Sequence, residues 1–124
     1  MPDRSLVVVA ALNMAIAIGA GAFGAHGLKR LLTPDMLAIW HTAVTYHVMH
    51  AIGMILVALL LARYNESLLA WAGWIMFAGI ILFSGSLYWL ALSGHKILGA
   101  ITPIGGVAFI LAWLLTAWAA LRAQ

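Results

Sequence analysis

Three histidines, a tyrosine and two threonines fall between Trp40 and His50, WHTAVTYHVMH, inside a run that stays apolar to Ala62. A polar group held in hydrocarbon without a partner costs several kcal/mol, so these side chains need other helices or a ligand. Tyr46, His47 and His50 share a sector of about 100° at helical spacing. Imidazoles there can move a proton, bind a small solute or hold a metal. Two at i, i+3 can reach one ion, yet no acid lies inside any apolar run to complete a hard-metal site. No metal and no cofactor are therefore expected, His47 and His50 being the one pair that leaves a haem or metal reading open.

A second polar group lies downstream in FSGSLY, where Ser84 and Tyr88 are four residues apart and face the same way. At ~1.5 Å rise per residue, His47 and His50 lie ~9 Å and ~14 Å below the boundary near His41, and Tyr88 and Ser84 ~6 Å and ~12 Å below the boundary at Leu92. The depths overlap. A pocket of His26, Tyr46, His47, His50, Ser84, Ser86, Tyr88 and Thr102 is the geometric expectation, open toward the side holding His26 and Thr102. The competing expectation is that the hydroxyls satisfy one another and nearby carbonyls, each bond contributing ~0.6–2 kcal/mol. No nucleophile, base and orienter spacing occurs, which argues against an enzyme.

The elements that must position these groups are membrane helices. Of 124 residues, 66% are hydrophobic and 7% charged, and the mean hydropathy is +1.11; a soluble domain this small has too much surface to hide that much apolar side chain. The net charge is +3, with lysines and arginines scattered at segment ends rather than along a stripe, which excludes a nucleic-acid partner and leaves the lipid bilayer. The absence of cysteine removes disulfides, thiolate ligands and thiol catalysis.

Four spans are expected in one domain over 1–124, at about 6–25, 34–62, 68–92 and 102–121. The first resembles a secretory signal, with Arg4 before it and Ala20-Gly21-Ala22 within it, but exceeds the usual h-region length, so retention is expected. Thr33-Pro34-Asp35 is a helix start, with Thr33 placed to cap, and Thr102-Pro103 repeats the signature. Trp40 and His41 are expected near the headgroups, as are Trp71, Trp74 and Trp89.

Small residues form stripes suited to close helix contact: Asn13, Ala17, Ala20 and Gly24 on the first span, Ala72, Gly79 and Ser86 on the third, Gly105 and Gly106 on the fourth. Close packing and a homo-oligomer are expected from them. His26-x6-Thr33-Pro34 and His95-x6-Thr102-Pro103 recur at an offset of 69 residues, which suggests two parallel hairpins. Arg4, Arg63 and Arg122 on one side balance Lys29, Arg30 and Lys96 on the other, so charge does not orient the chain. The fold class is thus all-α: an integral membrane four-helix bundle of two helical hairpins.

GAFGAH at 21–26, Tyr46 with His50, FSGSLY at 83–88 and TPIGG at 102–106 resemble the YgdD family, small bacterial inner-membrane proteins of unknown function. The resemblance runs over nearly the whole chain and implies a four-helix inner-membrane protein without an assigned activity. In that family a glutamine commonly follows the tyrosine where this chain has His47, which weakens a two-histidine metal site and favours a hydrogen-bonding cluster of Tyr46, His50, Ser84 and Tyr88. Binding or passage of a small solute or proton is the leading functional expectation, with a structural or assembly subunit docking a membrane-protein partner as the alternative and haem or metal binding third.

Overall fold

A computed structural model describes residues 2–123. It is all-helical: α1 (Pro2–His26), α2 (Pro34–Tyr64), α3 (Ser67–Gly79), α4 (Ser86–Ser93) and α5 (Thr102–Arg122), with a π-helical segment Ile80–Gly85 joining α3 to α4 and short 3-10 turns at Leu28–Arg30 and Lys96–Ala100. Four continuous stretches are long and apolar enough to cross a membrane: Arg4–His26, Pro34–Tyr64, Ser67–Ser93 and Lys96–Arg122.

Local chemistry sets several boundaries. Thr33 is extended, and its hydroxyl accepts the Met36 N–H at 3.2 Å, with Pro34 in the first turn. Thr33→Ala is expected to lower stability by ~1 kcal/mol, read as an earlier unfolding midpoint that Thr33→Asn restores. At the other end Asn65 takes a left-handed conformation (φ 52°) and its N–H closes on the Leu61 carbonyl. α4 stops likewise at Gly94 (φ 74°), whose N–H reaches Leu90 O. The second threonine behaves differently. Thr102 lies inside the first turn of α5, where Ile101 precedes it in helical conformation, and makes no cap. The 3-10 turn runs straight into α5, so no orphan N–H awaits its hydroxyl there. The likeness of the two hairpin connections therefore ends at Thr102, and its expected capping role is corrected.

The third span was expected to be unbroken. Its Ile80–Gly85 segment instead follows the wider i→i+5 pattern, which recurs at functional sites. Either side of it, α3 packs on α2 and α5, and α4 packs on α2, while α1 lies along α2. A core of Leu6, Met54, Val57, Met76, Phe109 and Ala112 fills the half nearer the termini. A smaller one, Leu28, Trp40 and Ala91, sits under the hairpin turns.

Trp40, expected near the headgroups, is packed inside the bundle at its place on α2. It is 8% exposed, its indole N–H donates to Ala20 O at 2.8 Å, and its ring occupies the space a side chain at Gly24 would need, a Cβ there falling 2.6 Å from the ring. Asn13, Ala17 and Gly24 are buried and Ala20 partly so; Ala72, Gly79, Ser86 and Gly105 are buried too. The stripes are thus occupied by the chain's own helices. Gly106 is half-buried. Near the termini Arg122 and the half-buried Glu66 are 3.9 Å apart, a loose pair of small energetic weight.

Candidate functional site

His47 is 3% exposed and His50 2%, and each imidazole is held at both ring nitrogens. Asn13 Nδ2 donates to Val9 O at 2.9 Å, leaving Asn13 Oδ1 to accept from His47 Nε2–H at 3.0 Å. His47 Nδ1 must then accept, and it does so from the Tyr88 hydroxyl at 2.9 Å. This chain of bonds ties α1, α2 and α4 together. Three residues on, the proton sits on the other nitrogen: His50 Nδ1–H donates to the Tyr46 carbonyl at 2.9 Å, and Nε2 accepts the Trp113 indole N–H at 3.0 Å. That bond joins α2 to α5. The backbone explains the difference, since a helical histidine can reach the carbonyl four residues back only through Nδ1.

The expected single cluster of Tyr46, His50, Ser84 and Tyr88 is therefore divided. Ser84, fully buried, donates to Ala43 O at 2.8 Å, and Tyr88 goes to His47. Ser86 and Thr102 pair through their hydroxyls at 2.7 Å, with Phe83 O and Leu98 O as further acceptors. Every buried side-chain nitrogen and oxygen among the described residues has a partner. His47 and His50 turn toward different helices, and each ring nitrogen has a protein partner. Among the described residues no three His, Asp or Glu side chains converge. His26 is exposed at the last position of α1 and joins neither imidazole; it belongs to a separate hollow with Lys29 and Arg30.

What remains open is a groove of about 330 Å³ between α2 and α5, lined by Tyr46, Met49, His50, Phe83, Gly106, Phe109, Ile110 and Trp113. Its walls are aromatic and ordered by stacking. His50 lies parallel to Phe109 with centroids 3.5 Å apart and planes 5° from parallel, and the Tyr46 and Phe83 rings meet at 4.7 Å. Phe83 comes from the π segment, so the widened turn supplies one wall. Gly106 leaves space, since a Cβ there would meet nothing closer than the Phe83 ring at 3.9 Å. Of the lining groups, the His50 and Trp113 nitrogens are engaged with each other and with backbone. Tyr46, 38% exposed, carries the only hydroxyl.

Phe109 and Trp113 were not singled out from sequence; Phe83 was noted only within FSGSLY, and Trp40, whose ring packs on Tyr88 at 4.6 Å, only as a residue at headgroup level. For Trp40 a signal existed, because Trp40, Ala43, His47, His50, Met54 and Val57 recur every three or four residues and all are buried. For Trp113 none did.

A family described as "Protein of unknown function (DUF423)" matches residues 20–106. The UPF0382 membrane protein YwdK of Bacillus subtilis (strain 168) is 49% identical over 120 residues, covering 96% of this chain and 98% of its own. A UPF0382 membrane protein of Staphylococcus epidermidis is 47% identical over 119 residues, with 96% and 97% covered, and one of Staphylococcus aureus (strain USA300) is 44% identical over 112, with 90% and 91% covered. No solved structure matches the chain.

Proposed function

Because this chain belongs to the DUF423 family of membrane proteins, described as being of unknown function, we propose an activity from the site: it binds a small, flat, largely apolar molecule that enters the groove sideways from the bilayer. The observation that carries this reading is the groove itself, an aromatic slot at membrane depth offering one uncommitted hydroxyl. A ring can stack on Phe109 or Phe83, and a single acceptor on it can take the Tyr46 O–H. Binding is favoured over passage because the buried histidines already have protein partners at both nitrogens, leaving no polar track across the bundle. Chemical conversion is not part of the proposal. Likeness to the YgdD proteins is taken as kinship within the family, and the inner membrane as the location, since spanning helices rather than a closed barrel fit that bilayer.

Benzophenone, with two rings and one carbonyl that couples to nearby C–H bonds under light, is a suitable probe in phosphatidylcholine nanodiscs. Adducts are expected on Met49, Phe109 or Ile110, mapped by peptide mass spectrometry. Tyr46→Phe should lower labelling roughly fivefold, the equivalent of ~1 kcal/mol, and Gly106→Phe should abolish it by filling the slot. Labelling spread evenly over lipid-facing Ile104 and Leu114 and indifferent to Gly106→Phe would remove the reading.

The complete pairing of buried polar atoms among the described residues favours a second reading, a scaffold whose polar groups lock helices for docking onto a membrane complex. Recovery of a stoichiometric partner after gentle purification, with the groove unlabelled by benzophenone, would favour it.

A further inference from the structure

At the hairpin end of the first span the chain builds a basic hollow separate from the groove. α1 ends at His26, and the 3-10 turn Leu28–Arg30 follows. Leu28 is 3% exposed and packs against Trp40 and Ala91, so the turn is pinned to the bundle by its first residue. The residues flanking that anchor, His26, Gly27, Lys29 and Arg30, are all exposed. Together with Ala25 they line an open, shallow concavity of about 630 Å³. Two permanent cations and an imidazole thus share one concavity held by a buried leucine. Among the described residues no carboxylate lies within ion-pair distance of either cation, and the one ion pair, Glu66 with Arg122, is at the opposite end of the spans.

The position identifies the ligand chemistry. A helix end that has just crossed hydrocarbon meets the layer where lipid phosphates lie, and basic pockets at that level hold anionic headgroups. Snorkelling alone would account for a lysine and an arginine at a span end; it does not account for their shared hollow around a fixed turn. We propose that His26, Lys29 and Arg30 form a binding site for the phosphate of an anionic phospholipid headgroup, the two cations engaging the phosphodiester and His26 donating at its edge. This site is independent of the groove proposal, and either can fail without the other.

The test uses the full chain in nanodiscs of equal phosphatidylcholine and phosphatidylglycerol, ejected into a mass spectrometer with its retained lipids. Phosphatidylglycerol should be enriched among the adducts. Removing one cation by Lys29→Gln or Arg30→Gln should cut the enrichment roughly fivefold at low salt, and the double variant should approach no preference. Arg63→Gln, a cation at the other end of the spans, should leave it unchanged. All three side chains are exposed, and an unaltered unfolding midpoint certifies the variants. Three results would overturn the proposal: no enrichment in the wild type, enrichment that survives the double variant, or equal loss in Arg63→Gln. Displacement of phosphatidylglycerol by millimolar inorganic phosphate would overturn the lipid assignment and give the hollow to a soluble phosphate.

Discussion

Gly105→Ala should leave almost no folded protein, whereas Gly106→Ala, one residue along, should be recovered like the wild type. A Cβ on Gly105 would sit inside contact distance of the Phe83 backbone nitrogen and 2.7 Å from its Cα. These are main-chain atoms of the π segment. A crowded side chain can rotate away, but here α5 and the third span would have to separate. Overpacking a closed core costs ~1–3 kcal/mol, and more where the neighbours cannot give, so this substitution belongs at the upper end or beyond. Separation would also remove packing around Phe109, whose ring already fills the place of a Gly79 side chain. Gly106 faces the groove, with its nearest neighbour at 3.9 Å. Yield of monodisperse protein in mild detergent and the thermal midpoint, measured on the pair together, would check this. Equal behaviour of the two alanines would mean that α5 does not approach the third span as described.

His47→Leu is expected to be the most damaging substitution among the polar residues. It strands two groups at once, the Asn13 carbonyl on α1 and the Tyr88 hydroxyl on α4. Each orphan costs ~1–3 kcal/mol when buried, although in membranes individual side-chain bonds average nearer ~0.6 kcal/mol because the unfolded chain finds partners too. A loss of about 2–4 kcal/mol is expected. The pattern of combined variants is more telling than the size. If Tyr88→Phe is introduced into His47→Leu, the further loss should be small, because the bond Tyr88 made is already gone. Such non-additivity is the signature of a shared network. Fully additive losses in an unfolding titration would show that His47 and Tyr88 do not interact.

Much of the architecture was legible in the sequence because hydropathy and punctuation act locally. Thr33 with Pro34 marks a helix start whatever surrounds it, and the left-handed stop at Asn65 lies in the polar break Arg63–Glu66 that separates the second and third spans. The burial of His47 and His50 followed from their spacing on an apolar helix. Their partners did not, because those depend on how helices lie across one another. Tryptophan's preference for interfaces put Trp40 near the headgroups but gave no hint of its packing, in which Gly24 opposite it opens a slot that an indole fills. Thr102 reads as a cap by type and becomes a cross-helix partner of Ser86 because the chain ahead of it is already helical. Nothing in IILFSG demands the wider pitch of Ile80–Gly85, and the neighbours of α3 and α4 on either side of it are set by the tertiary fold. The groove was thus half visible: Tyr46 and His50 were named, and the aromatic walls from α5 and the π segment were not.

That wider pitch has a mechanical consequence. It splits the third span into two rods, one seated on both α2 and α5, the other on α2. Phe83 sits at the joint, which is itself seated on α2 and α5, so an occupant of the slot it walls would rest against the place where the two rods meet.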